Sequence, residues 1–171
     1  SGLVEIKDPS KILLDAASIG LPGSVVTSVM EWTRPIMVEI QALVSYSRLP
    51  SPRRVVTGLD YNKCSVIMGI LDRKAGVKTS ESDIYLSVAS GVYAEEPAVD
   101  LPVAAAIVSC VKNKGIDPKT IVIGEIGLTG EIRSVPNIDM RLSEAQRLGF
   151  LTAIIPSSNK IKDKSIKGLS L

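Results

Sequence analysis

Apolar positions recur along this chain with two periods, and the change from one to the other marks the elements. Val25-Val26-Thr27-Ser28-Val29-Met30 and Ile36-Met37-Val38-Glu39-Ile40 are rich in β-branched residues. They predict two long strands folded at Trp32-Thr33-Arg34-Pro35. Val55-Val56-Thr57 predicts a short strand, and Ile84-Tyr85-Leu86-Ser87-Val88-Ala89 a longer one. From Asp60 to Ala75, Cys64, Ile67, Met68 and Leu71 fall three and four apart, the spacing of one helix face, and Gly76 ends the pattern. Asp100 is read as the N-cap of a second helix that tolerates Pro102 in its first turn and stops at Gly115. That helix is apolar nearly all round from Val103 to Val108, which places it in the centre of the domain.

Thr120 to Ile126 predicts a strand, which Leu128-Thr129-Gly130 turns into Glu131-Ile132-Arg133. Asn137 is read as the cap of a third helix bearing Ile138, Leu142, Ala145 and Leu148, closed by Gly149. Thr152-Ala153-Ile154-Ile155 is the last strand. At the start, Asp8-Pro9-Ser10 opens a short helix through Leu13, Leu14 and Ala17 to Gly20, and Pro22-Gly23 marks a turn. The tail from Lys160 is weakly patterned and is expected to fray. Strands and helices mix without strict βαβ alternation, so the expected class is α+β. Length favours one domain over residues 1–171, with 1–22 as linker and helix and 160–171 as tail.

Composition constrains the chemistry more than the fold. The chain has no histidine, which removes Ser-His-Asp and Cys-His catalysis, His-ligated zinc or haem, and a histidine pH switch. Two cysteines cannot build a Cys₄ zinc site or a disulfide framework. Cys64 and Cys110 sit inside apolar helical patterns and read as buried thiols of a reducing compartment. The longest apolar stretch, Leu101 to Cys110, is about half of the ~20 residues that cross a bilayer. Ser1-Gly2-Leu3 leads straight into charged residues, unlike a signal peptide. No membrane partner is expected. Twenty Lys and Arg against 18 Asp and Glu give a net charge of +2, too small to demand a nucleic acid. Four Tyr, one Trp and one Phe are few for a base-stacking platform.

Gly124-Glu125-Ile126-Gly127-Leu128-Thr129-Gly130 resembles the Gly-Glu-Ile hairpin of Lon-type peptidase domains, and Asp100-Leu101-Pro102-Val103-Ala104-Ala105 occupies the place of their nucleophile turn. More closely, Trp32-Thr33-Arg34-Pro35, Val38-Glu39-Ile40-Gln41-Ala42-Leu43-Val44, Pro52-Arg53-Arg54 and Gly58-Leu59-Asp60 resemble the C-terminal domain of the RadA/Sms family of DNA repair and recombination ATPases. The match runs from Gly2 to about Pro156. The resemblance implies the fold shared by Lon peptidase domains and ribosomal protein S5 domain 2. It implies a bacterial cytoplasmic protein, or one of the mitochondrial or chloroplast interior. It also implies a RecA-like ATPase core, using ATP and Mg, and a Cys₄ zinc finger holding Zn, both upstream. This chain has neither a Gly-x₄-Gly-Lys-Ser/Thr loop nor a Cys-x₂-Cys pair, so no cofactor is expected in it.

Lon peptidases use a Ser/Lys dyad, a chemistry that needs no histidine. By the resemblance, the serine position is Val103 and the lysine position Arg141. Valine has no nucleophilic atom, and a guanidinium cannot shed its proton in the working range. The domain is therefore expected to be proteolytically inactive, with a residual Ser/Lys-type peptidase or peptide-binding domain in the old cleft as the alternative. Arg141 falls on the apolar stripe of its helix, which predicts a place near Val103 and a carboxylate partner, Asp100 or Glu125. Ser109 and Lys112 read as a buried serine and a helix-end lysine. Glu95-Glu96 with Asp100 read as a solvated loop and a helix cap rather than a metal site.

Arg48, Arg53, Arg54, Lys63, Arg73, Lys74 and Lys78 cluster in sequence and form either a phosphate-tracking stripe or a solvated polar face. The family resemblance implies DNA as a partner and self-association as a hexameric ring. The long hairpin from Val25 to Tyr46 must shield an edge or offer one, and Trp32 with Arg34 at its tip reads as an interface anchor or as ordinary core. The implied role is an oligomerisation scaffold and auxiliary DNA-binding surface for an ATP-driven branch-migration motor, the parent protein being a DNA-dependent ATPase.

Overall fold

The computed structural model describes residues 2–3, 17–163 and 166. Most of the helix expected from Asp8 lies outside the described residues; residues 17–20 form a turn. The centre is a six-stranded mixed sheet of β1 (Ser24–Glu31), β2 (Arg34–Tyr46), β3 (Arg54–Thr57), β4 (Ser82–Val88), β5 (Thr120–Val122) and β8 (Thr152–Ile154). Its strand order is β3-β4-β2-β1-β5-β8. The β1–β2 and β2–β4 pairs are antiparallel, and the other three are parallel. A small second sheet pairs β6 (Glu125–Ile126) with β7 (Ile132–Arg133). With α1 (Tyr61–Ala75), α2 (Asp100–Val111) and α3 (Ile138–Arg147), the architecture is a mixed α and β domain, as the element pattern predicts.

The register of the long hairpin assigns its side chains to two cores. Val25 pairs with Ile40 and points into the layer shared with α1 and α2, where Val38, Cys64, Ile67, Ile84, Leu86 and Ile107 are buried. Val26 pairs with Glu39 and points the other way, into the layer under α3 with Met37, Ile121, Leu142 and Phe150. Adjacent residues thus serve opposite cores, the consequence of a two-residue period. β2 pairs with β1 through Arg34–Gln41 and with β4 through Ile40–Tyr46, so the tip of the hairpin runs past the end of β4. Glu31 opposes Arg34 across a two-residue loop, with Trp32 at φ 57. That left-handed conformation is what tight hairpin loops require and what a bulky side chain rarely adopts.

Helix α1 forms as its spacing predicts. The Asp60 side chain accepts from the Lys63 N–H, and Gly76 closes the last turn at φ 67. Four other readings need correction. Asp100 is not a cap but the first residue of α2, because a 3₁₀ turn over Pro97–Val99 already brings helical backbone to that point. The helix ends at Val111, where Asn113 takes a left-handed φ of 49, and not at Gly115. The strand expected over Thr120–Ile126 breaks after Val122, and its remainder joins the small sheet. A Cβ on Gly124 would stand 3.0 Å from the Leu101 side chain, so glycine lets the chain cross close to α2. Asn137 makes no side-chain cap; it turns the chain into α3 at φ 59.

The tail also differs over its described part. Lys162 and Asp163 donate backbone N–H bonds to the Asp139 carboxylate, and Ile166 is buried in the α3 layer, so this stretch docks.

Candidate functional site

The first turn of α2, the start of α1 and the loop before Pro97 enclose a cleft of about 220 Å³. Leu59, Cys64, Ile67, Val99 and Val103 supply apolar lining, while Asp60, Glu95, Glu96, Asp100 and Glu125 supply carboxyl groups and Lys63 the cation. Val103 is 1% exposed, so its isopropyl group is packed wall rather than a projecting side chain.

Asp100, buried at the start of α2, accepts a hydrogen bond from the Ile126 N–H at 3.0 Å and pairs with the Lys63 ammonium at 3.1 Å. Lys63 closes the triangle by donating to the Ile126 carbonyl at 2.7 Å. These contacts pin the small sheet to α1 and α2. Burial pushes the Asp100 carboxyl above its ordinary range, against the lowering pull of the Ile126 N–H and Lys63. Burial, with Asp60 and Asp100 adding, pushes the Cys64 thiol up to about 12, which keeps it inert.

Arg141 is 2% exposed and does find a carboxylate, though neither of the two expected. Its Nη1 stands 2.5 Å from Glu96 Oε1 and donates to the Ser28 carbonyl at 2.7 Å, while Nε donates to the Pro136 carbonyl at 3.0 Å. Glu96 Oε2 in turn accepts from the Met30 N–H at 2.9 Å. Glu96 is therefore not a solvated loop residue; it ties α3, β1 and the loop before α2 together. Arg141 does not line the cleft, although Glu96 does. Sequence spacing could not show this, because the partners lie 45 positions apart on different elements.

The seven basic residues divide. Arg54 is spent on the fold: its guanidinium donates to the Thr79 carbonyl at 2.5 Å and, at closer range, to the Ser82 carbonyl. Lys74 donates to the Thr129 carbonyl at 2.5 Å. Lys63 is held by Asp100, near the opposite end of α1 from Arg73, ten residues or roughly 15 Å away. Arg48, Arg53, Arg73 and Lys78 are exposed. They gather around residues 79–82, because the Ser47 N–H bonds Glu81, Arg54 bonds Thr79 and Ser82, and Arg54 and Arg73 line one shallow groove.

Asp72 and Asp83 stand among them, each held below its ordinary range chiefly by one backbone N–H, from Ser80 and Arg53 respectively. At the hairpin tip Trp32 is 95% exposed and Arg34 is exposed, so Trp32 is not a core residue. Ser109 donates to the Lys114 carbonyl and accepts from the Gly23 N–H, a structural role with no part for Lys112. Among the described residues no group of three or more Cys, Asp or Glu could hold a metal ion, and no helix is long and apolar enough to cross a membrane.

A family profile described as subunit ChlI of Mg-chelatase matches residues 65–159. The chain is 47% identical over 159 residues to the DNA repair protein RadA of Halalkalibacterium halodurans, covering 93% of this chain and 35% of that protein. It is 46% identical over 158 residues to the RadA of Bacillus subtilis, with 92% and 34% covered. Against the RadA of Synechocystis sp. it is 46% identical over 156 residues, with 91% and 31% covered. The chain thus spans about a third of the length of the curated relatives it matches.

Proposed function

Since the chain belongs to the family described as subunit ChlI of Mg-chelatase and fits a fragment of a RadA-type DNA repair protein, we propose that it is a proteolytically silent Lon-like domain serving DNA repair and recombination. It contributes an auxiliary DNA-binding surface and a self-association scaffold, hexameric in the parent protein, to an ATP-driven branch-migration motor. The observation that carries the DNA reading is the gathering of Arg48, Arg53, Arg73 and Lys78, all exposed, around residues 79–82. Positive charge without base-reading geometry suits the phosphate backbone. The silence of the old site rests on Val103 and Arg141. The first offers no nucleophile, and the second is already committed to Glu96 and two carbonyls.

Duplex binding by the 171-residue chain across a salt series tests the DNA reading. Affinity falls steeply with salt, and Arg53→Glu with Arg73→Glu flattens the logarithmic slope by about two units if each side chain neutralises one phosphate. Binding independent of salt, or indifferent to that double variant, removes the phosphate surface. Arg54 is left untouched because its carbonyl contacts belong to the fold.

A further inference from the structure

The hairpin tip and the cleft have complementary chemistry, and among the described residues Trp32 stands in water outside the cleft. Trp32, the single tryptophan, is 95% exposed and held at φ 57 in a two-residue loop. A strained, tightly bonded turn that presents an indole to water is an anchor whose ordering cost is already met. The cleft has the opposite character, an apolar lining under a rim of Asp60, Glu95 and Glu125. At about 220 Å³ it is smaller than the ~300–1,000 Å³ of most ligand and cofactor pockets and suits one large side chain. An indole fits such a place, with its ring on the apolar wall and its N–H donating to a carboxylate.

We propose that the cleft receives the Trp32 tip of a second copy of this chain, with Arg34 of the tip meeting the acidic rim. The inference deepens the self-association reading above and rests on it. The occupant follows from charge and from shape: Arg34 matches the carboxylates, and Glu31 opposite Arg34 matches the half-exposed Lys63 at the same rim. Met30 bonds Glu96, so the tip-bearing strand borders the chain's own cleft, yet Trp32 remains in water. The tip is thus outside its own cleft and available to another. Because tip and cleft are different patches, each copy gives one and receives one, the kind of contact that closes into a ring when the rotation permits.

The single tryptophan makes the test direct. Sedimentation of the 171-residue chain over a concentration series is followed together with its fluorescence. The proposal expects larger species to grow with concentration as the emission of a water-exposed indole shifts to shorter wavelength. Trp32→Ala and Glu95→Arg, both at exposed positions, each lower the association constant at least tenfold. Mixing the two variants restores one intact tip facing one intact cleft and yields a 1:1 dimer, whereas neither variant dimerises alone.

Assembly undiminished in Trp32→Ala overturns the tip-in-cleft contact while leaving self-association standing. A wild-type chain that stays monomeric at every concentration overturns both. Emission that shifts on adding single-stranded DNA, and not with protein concentration, overturns the proposal in favour of base stacking.

Discussion

Two ion pairs border the same cleft through Glu96 and Asp100, and they differ in how far each is closed to water. Arg141–Glu96 is closed: the guanidinium is 2% exposed and donates to two backbone carbonyls as well as to the carboxylate. Lys63–Asp100 is half open: the aspartate is 3% exposed but the lysine is 34% exposed and reaches the rim of the cleft. The planar fork of arginine lets it satisfy three acceptors at once, which is what a buried cation needs. Lysine, a single ammonium on a flexible stem, keeps contact with water while neutralising the buried carboxylate. The first pair therefore reads as a joint between β1, α3 and the loop before α2, and the second as part of a surface.

Breaking the closed pair has the largest expected effect. Arg141→Ala leaves Glu96, partly buried and bonded to the Met30 N–H, without its cation, and two carbonyls without their donor. It should lower unfolding stability by about 3–5 kcal/mol, as loss of one partner of a buried pair does. Arg141→Lys keeps the charge but not the fork, and should cost about 1–3 kcal/mol. Urea unfolding checks both. Equal stability of the lysine variant and the wild type would erase the distinction between the two pairs, because the fork would then contribute nothing.

A smaller effect is expected at Val103, in the wall of the cleft that Lys63 and Asp100 also line. Val103→Ser places a hydroxyl in the apolar wall of the cleft and should cost about 1–3 kcal/mol for a polar group buried there. It should yield no peptide hydrolysis, measured with a fluorogenic peptide, because Arg141 faces Glu96 and cannot serve as a base. Turnover in Val103→Ser that vanishes in the Arg141→Ala background would mean that the closed pair opens, and the comparison would have to be redrawn.

How far sequence reaches follows the same division between local and distant partners. Helix α1 was legible because every signal for it is local: the apolar spacing, Asp60 at its start and Gly76 at its end. The hairpin was legible because β-branched runs flank a short interruption at Trp32-Thr33. Asp100 was not, since an aspartate before an apolar run looks the same whether it caps its helix or pairs across the fold. The preceding 3₁₀ turn decided between the two. Arg141 was half legible. Its place on an apolar stripe demanded a carboxylate, but the choice of Glu96 over Asp100 and Glu125 depends on how α3 lies against β1. Among the basic residues, charge showed in sequence, and which charges are spent on backbone carbonyls did not.

The smallest effect, and the finest probe of the comparison, comes from removing the cation of the open pair. Lys63→Met keeps the stem that covers the cleft rim and deletes the ammonium. The loss should be about 1 kcal/mol, because Asp100 can take up a proton instead of remaining a bare buried charge. Its carboxyl is already raised above the usual 3.8 by burial, while Lys63 holds it down. Deleting Lys63 therefore raises it further, which a carboxyl NMR titration reads directly.

The sign of the pH dependence follows. With the folded value above the unfolded one, the native state binds more protons across the interval between them. This contribution to stability is full below the unfolded value and is lost as pH rises through the folded one. The variant should lose stability over a wider interval above pH 3.8 than the wild type. No such change is expected from Arg141→Lys, in which Asp100 and Lys63 keep their contacts. A Lys63→Met titration that leaves Asp100 where it was would show that the ammonium spends its charge on water and the Ile126 carbonyl. The two pairs would then differ in kind, one being an ion pair and the other only a hydrogen bond.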